Sequence, residues 1–422
     1  MYPEYIEGLI LRLCKQPRTF EFISMNLDGY DPVELLGTLK VLESKKRISN
    51  INGLWCIKNK KGKEKILIKD IDSTKTNFFN EHIGFFGLFD KPHPLDFEWR
   101  NTTGSLDYLI NTALKLNDIN DKILFLGFPT LFATACLKNI PQKVTLIEKN
   151  SPVVKSLTKL NTNKDRFQII EADIFKIDPK TIDKYHSIFM DPPWYSPHFY
   201  QFMWLAAQSV EVGGVVAISL PPINTRPDIA QERIEWFSFC QMQGLCLENL
   251  YSQRLHYAMP FFEFNAFRAA GIKDVLPFWR KGDLALFRRV PSETTKRPTI
   301  DKKLSEWVER EVDTVRIRIK IETTKPSDDE LKISNLIKGD ILPTISSRDQ
   351  RRSKANIWTS GNRVFSVNNT EKFIRYLDNL KKRKNSKLGI VEDFLNTITE
   401  FEKKEYNNYL DWLYHEMERQ IS

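Results

Sequence analysis

Cysteine is scarce in this 422-residue chain. The five present, Cys14, Cys56, Cys136, Cys240 and Cys246, form no Cys-x-x-Cys pair and sit mostly in apolar stretches. That argues against a disulfide-stapled scaffold and for reduced thiols in a reducing compartment. The six histidines are scattered, so no zinc or other metal site is expected. No apolar run approaches the roughly 18 residues that a membrane span needs. The opening Met1-Tyr-Pro-Glu-Tyr-Ile-Glu-Gly8 lacks the basic and apolar regions of a secretory signal. A cytoplasmic protein with no membrane partner is the expectation.

What is present describes a folded protein. Hydrophobic residues make up 41% and aromatic residues 12% of the chain, enough for two or three domains and at least one large core. The net charge of +9 suits an acidic partner such as nucleic acid, and it equally suits plain solubility.

One stretch carries a specific chemistry. Ile188-Phe-Met190 reads as a buried strand that stops at Asp191-Pro192-Pro193-Trp194. Neither proline can donate to a ladder, and both restrict the residue before them. The result is a stiff loop at the carboxyl end of a strand, where open α/β sheets bind ligands. An exocyclic amine such as N6 of adenine is a poor nucleophile, because its lone pair is delocalised into the ring. The Asp191 carboxylate and the Pro192 carbonyl can each accept one of its N–H groups and aim the lone pair, while Trp194 stacks on the base. The bland alternative is strand punctuation without chemistry. The tetrapeptide resembles the Asp/Asn-Pro-Pro-aromatic motif of amino-methyltransferases that use S-adenosylmethionine (SAM).

Residues 1–60 predict three helices and a hairpin. Ile6, Leu9, Ile10 and Leu13 have helical spacing, and Thr19 can cap a second helix. Asp31-Pro32 supplies an N-cap and a proline at the first position of a third, and Asn52-Gly53 is a hairpin turn. This order resembles a winged helix-turn-helix. Nucleic-acid binding through the third helix and a role as a dimerisation or docking platform both stay open, since few basic residues precede Lys40.

Residues 61–120 are expected to be a linker and a lead-in helix (Leu106 to Leu116). Polar residues ahead of the first strand either fold over a cofactor or merely cap that helix through Thr103 or Ser105. From 121 to 290 strands and helices alternate, which predicts a parallel sheet covered on both faces. Seven strands in this rhythm resemble the α/β, Rossmann-like fold of class I methyltransferases. Placed on that fold, Gly127 lets the backbone approach a ligand at a helix N-terminus. Glu148 ends the second strand, where ribose hydroxyls are held, and Asp173 follows the third, where the adenine amine of SAM lies.

The usual acid-x-Gly-x-Gly loop is absent. Phe125 stands where the acid would be, and Pro129 replaces the second glycine. This Gly-x-Pro-Thr variant, together with Asp191-Pro192-Pro193-Trp194, resembles the probable N6-adenine methyltransferase family over roughly residues 121–220. That family contains ribosomal-RNA adenine and elongation-factor lysine methyltransferases. The resemblance implies SAM as cofactor and leaves the acceptor open between adenine and lysine amines. Branched-chain polyamine synthases also resemble this architecture, but they carry acidic residues where Pro192 and Pro193 stand. A non-catalytic, nucleic-acid-binding scaffold is the third reading.

Tyr257 to Phe267 is aromatic-rich, open between a base-stacking platform and core packing in a hairpin. Residues 291–422 are polar and expected to be basic and mainly helical. Within them Arg348, Arg351, Arg352, Lys354 and Arg363 surround Trp358, a composition suited to phosphate contacts with stacking. A solvated basic loop anchored by Trp358 fits as well. The amphipathic last forty residues pack either on the body or on a second copy, so a homodimer through this helix or the winged helix is open.

Overall fold

A computed structural model describes residues 2–58, 88–96, 98–293, 295–299, 306–321, 330–346, 349–381 and 389–421. The central strands are short apolar runs: β5 (Lys122–Leu126), β6 (Lys143–Glu148), β7 (Phe167–Glu171), β8 (Tyr185–Met190) and β9 (Val210–Leu220). All five run parallel, as strands covered on both faces do. Two longer strands, β10 (Leu245–Ala258) and β11 (Lys281–Arg289), extend the sheet, β11 antiparallel to both neighbours. The order is β4-β10-β11-β9-β8-β5-β6-β7. The sheet therefore has eight strands rather than the expected seven, the extra one being the two-residue β4 (Arg100–Asn101) on the edge.

Strand alternation sends side chains to two cores. Ile123, Phe125 and Phe189 pack with helices α4 (Thr103–Leu116) and α5 (Pro129–Lys138). Leu124, Leu126, Ile188 and Met190 pack with α7 (Ser196–Ser209) and α8 (Ile229–Met242). Helix α6 (Ser151–Leu160) adds Val153 and Leu157 to the first core. The chain winds outward through β5, β6 and β7, then returns to β8 on the other side of β5. The switch point thus falls between β5 and β8.

The N-terminal segment holds α1 (Tyr2–Leu13), α2 (Phe20–Met25), α3 (Pro32–Ser44) and a three-stranded antiparallel sheet of β1 (Arg18–Thr19), β2 (Ile48–Ile51) and β3 (Leu54–Ile57). Asp31 caps α3, accepting from the Val33 N–H at 2.7 Å. The Asn52-Gly53 turn has φ of +53° and +85°, the left-handed values a tight hairpin needs. This segment is not insulated from the body. Ile6, Ile10, Leu35 and Leu39 share one cluster with Phe261, Phe264 and Phe267 of α9 (Phe261–Ala269) and with Tyr409 and Leu413. The aromatic stretch, left open between a stacking platform and hairpin packing, is a strand end followed, after Pro260, by a buried helix.

The C-terminal region corrects the expectation of a mainly helical tail. It forms a five-stranded antiparallel sheet, β12-β13-β15-β16-β14, from Trp307–Val312, Val315–Lys320, Ile357–Thr359, Val364–Val367 and Ile333–Asn335. Helices α10 (Thr370–Lys381) and α11 (Gly389–Ile421) pack on it. Charge hid the strands. In β13, Val315, Ile317 and Ile319 face the core, while Arg316 and Arg318 pair outward with Asp96 and Glu309. Helix α11 joins the parts: Leu395 and Ile398 pack on this sheet, Tyr409 and Leu413 on the N-terminal cluster.

Of the lead-in, residues 59–87 lie outside the described residues. Residues 88–96 wedge between the two sheets, with Phe89 in the central core and His93 and Asp96 against the C-terminal sheet. The buried His93 uses Nδ1 to accept the Leu95 N–H at 3.1 Å, so Nε2 is the nitrogen that donates to the Trp358 carbonyl at 3.0 Å. Burial, with the nearby Arg318 charge, lowers its pKa to about 3. Asp96 meets Arg316 at 2.7 Å and also Arg318. Those cations outweigh its burial and hold its pKa at about 2.

Candidate active site

Leu126 and Met190 are lateral partners in β5 and β8, so the residues after them, Gly127 and Asp191, share the switch point. Gly127 has φ +57° and donates its N–H to the Ile147 carbonyl at 2.9 Å. A Cβ there would stand 3.2 Å from the Phe202 ring, so both backbone and space call for glycine. Pro129 opens α5 immediately after. The carboxyl ends of β5, β6 and β7 thus bring Gly127, Pro129, Glu148 and Asp173 to one edge of the sheet.

Glu148 is oriented by its own backbone. Its Oε1 accepts the N–H groups of Lys149 and Asn150, both at 2.8 Å. Burial raises its pKa, those two bonds oppose the rise, and the Glu98 charge adds to it. Glu98 belongs to the lead-in and accepts from Arg100 Nε at 2.8 Å. Polar residues ahead of the first strand therefore lie near the carboxyl end of β6. The capping alternative fares differently: Thr102 is the N-cap of α4, without a side-chain cap, and Ser105 Oγ accepts the His256 N–H at 2.7 Å. Asp173 turns Oδ1 to the Phe175 N–H at 3.0 Å.

On the far side of the switch point Asp191 has its own supports. Tyr257, from β10, donates its hydroxyl to Asp191 Oδ1 at 2.8 Å. Ser219, from β9, lies 2.5 Å from the same tyrosine oxygen. Burial raises the Asp191 pKa to about 7, against lowering by the Tyr257 and Ser219 hydroxyls. Pro192 is buried, and Pro193 accepts the Tyr195 N–H at 2.7 Å. Trp194 donates its indole N–H to Ser219 Oγ at 3.3 Å and meets the Tyr257 ring edge-on, centroids 5.6 Å apart. Arg280 lies 6.0 Å from the Trp194 ring, and it is held at 2.6 Å by the buried Glu263.

Sequence reasoning missed Tyr257, Ser219 and Arg280 as parts of this site. Only Tyr257 had a signal, as the first residue of the aromatic stretch.

The basic cluster is dispersed. Trp358 is 1% exposed, gives its indole N–H to Asn362 at 3.1 Å, and carries the Arg352 guanidinium 4.5 Å from its ring. Its ring is a core element of β15, not an open stacking platform. Arg363, on β15–β16, is spent on Glu405 at 2.6 Å and Asp340 at 3.4 Å. Arg352 donates to the Ile345 carbonyl. Arg351 is exposed and pairs with Asp349, Lys354 is exposed, and Arg348 lies outside the described residues.

No protein-family model and no curated protein matches the sequence. Among solved structures, the branched-chain polyamine synthase of Thermus thermophilus, in complex with N4-aminopropylspermidine and 5′-methylthioadenosine, is similar with a TM-score of 0.53. The identity is 13%, over 70% of this chain and 91% of that one. A proposed RNA methyltransferase from Pyrococcus horikoshii is 17% identical over 49% of this chain and 96% of that one, with a TM-score of 0.36. A TehB-like SAM-dependent methyltransferase from Corynebacterium glutamicum is 13% identical over 44% of this chain and 87% of that one, with a TM-score of 0.29. The likeness to the polyamine synthase is one of fold, a mixed α/β sheet with helices on both faces. No described helix is long and apolar enough to cross a membrane.

Proposed function

We propose that this chain is a SAM-dependent transferase acting on an amine nitrogen, with N6 of an adenine in DNA or RNA as the leading acceptor. The observation that carries this reading is Asp191: a half-buried carboxylate at the switch point, one oxygen held by Tyr257, with Trp194 beside it.

The residues present suit SAM. Gly127 allows close approach of a ligand at the start of α5. Glu148, already oriented by two backbone N–H groups, suits a pair of ribose hydroxyls, and Asp173 suits an adenine amine. Bound there, SAM supplies an electrophilic methyl carbon on a cationic sulfur.

The chain's own residues would do the rest. Asp191 and the Pro192 carbonyl accept the acceptor's N–H groups, which localises its lone pair. With its pKa raised to about 7, Asp191 can also receive the proton that the nitrogen sheds. Trp194 offers a ring for a base to stack on. We read the N-terminal segment as a winged helix and the exposed Arg351 and Lys354 as part of a nucleic-acid-facing surface.

A second reading is methyl or aminopropyl transfer to a polyamine or lysine amine. It is favoured by the likeness to the polyamine synthase, which spans 70% of the chain, and by the acidic Glu98 near Glu148.

The deciding experiment titrates SAM calorimetrically into wild-type and Glu148→Ala protein, then offers oligonucleotide, peptide and polyamine acceptors with mass-spectrometric detection. Expected are micromolar SAM binding, lost in the variant, and methylated adenine. Alkylated polyamine would select the second reading. No SAM binding by folded protein would remove methyl transfer from both readings.

A further inference from the structure

Four side chains from two strands and a loop meet beside the candidate acceptor position. With Asp191 ionised, their donors and acceptors fit a chain with one direction. The indole N–H of Trp194 can only donate, and it points at Ser219 Oγ, 3.3 Å away. The single Tyr257 proton goes to Asp191 Oδ1 at 2.8 Å. With the Tyr257 proton on Asp191, the serine is the donor in the 2.5 Å contact between Ser219 and Tyr257, its hydroxyl also lying within reach of the carboxylate. The chain runs one way: Trp194 to Ser219 to Tyr257 to Asp191.

We propose that Ser219 and Tyr257 are positioning residues that couple the first and fourth members of the Asp191–Trp194 loop, fixing the carboxylate and the stacking ring relative to each other. This rests on the amine-transfer reading of the same site. Without the chain, Asp191 and Trp194 would be oriented independently by a loop whose two prolines fix only its backbone. With it, Oδ1 is committed to Tyr257, so Oδ2 is the oxygen left to take an acceptor N–H. Trp194 is held by its N–H edge, which leaves a ring face for stacking. Burial strengthens each link, since Ser219 is 1% and Tyr257 2% exposed. The backbone makes room for the arrangement: a Cβ on Gly282 would stand 2.9 Å from Ser219 Oγ and 3.1 Å from the Tyr257 ring.

The test uses full-length protein with isotope-labelled indoles, the Trp194 N–H resonance being assigned through Trp194→Phe. Tyr257→Phe keeps the ring that meets Trp194 and removes only the hydroxyl. The Trp194 resonance is expected to move in Tyr257→Phe as well as in Ser219→Ala, although Tyr257 makes no hydrogen bond to the indole. With a turned-over acceptor, kcat is expected to fall about tenfold in each variant while SAM affinity stays within twofold. A Trp194 resonance unmoved in Tyr257→Phe, or unchanged kcat in both variants, overturns the proposal. If Ser219→Ala does not fold, Tyr257→Phe alone decides. If the resonance moves but no acceptor is used, the coupling stands as a structural fact, while its positioning role falls with the amine-transfer reading.

Discussion

Gly282 makes room for Trp194: a Cβ on this β11 residue would stand 3.2 Å from Trp194 Cζ2. The same methyl would press on Ser219 and Tyr257, so the strand has no slack to offer. Gly282→Ala is expected to displace the Trp194 ring, raise the acceptor KM and lower kcat/KM about tenfold or more, with SAM affinity unchanged. Steady-state kinetics beside SAM titration checks this. Unchanged acceptor kinetics would mean that Trp194 does not hold the acceptor.

The parallel half of the sheet was legible in the sequence because strands buried on both faces must be apolar throughout, as Leu124 to Leu126 and Ile188 to Met190 are. The Asp31 cap and the Asn52-Gly53 turn were legible because each needs particular side chains. Tyr257 was not assigned to the site, since it reaches Asp191 only through the antiparallel pairing of β10 with β11. The C-terminal sheet was obscured by charge. Arg316 and Arg318 interrupt the apolar alternation with charge, and their partner Asp96 is over 200 positions away in the sequence. Trp358 looked like a stacking residue because composition does not distinguish a tryptophan on a loop from one inside a strand.

Asp191 gives a pH dependence with a definite sign. Its folded pKa, raised to about 7, lies above the ordinary carboxylate value, so the folded protein holds this proton more tightly than the unfolded chain. Its contribution to stability is therefore lost as pH rises from the ordinary carboxylate range to about 7. Asp191→Asn removes that cost. It is expected to melt higher than wild type above pH 7, with the gain shrinking towards pH 4, while turnover is abolished. In the wild type, kcat/KM should rise with pH through about 7 as the carboxylate ionises. Calorimetric melting across pH and a pH–rate profile check both. A variant less stable than wild type at pH 8 would contradict the assignment.

Asp96 has the opposite sign. Its pKa is held at about 2 by Arg318 and Arg316, so its contribution is present above the ordinary carboxylate range and fades as pH falls towards 2. Asp96→Asn leaves two guanidinium groups sharing Glu309 alone. Removing one partner of a buried ion pair typically costs about 3–5 kcal/mol. A loss near the lower end is expected, because Arg318 is partly exposed. Denaturant unfolding at pH 7 measures it, and the difference from wild type should narrow below pH 3. A loss under about 0.5 kcal/mol, the usual range of surface substitutions, would show that the wedge does not depend on this network.

The basic segment can be tested separately from catalysis. Lys354→Ala alters an exposed side chain, whereas Arg363→Ala removes a buried cation paired with Glu405 and Asp340. If the segment contacts phosphates, Lys354→Ala should weaken binding to oligonucleotides of any sequence and lower the slope of log affinity against log salt by about one counterion. Arg363→Ala should instead lower the melting temperature, because it strands Glu405 and Asp340, partly buried acids whose pKa values burial already raises. Fluorescence anisotropy over a salt series, with melting curves for both variants, separates the two roles. A salt slope unchanged by Lys354→Ala would take this segment out of any nucleic-acid interface and leave the N-terminal helices as the surface to examine.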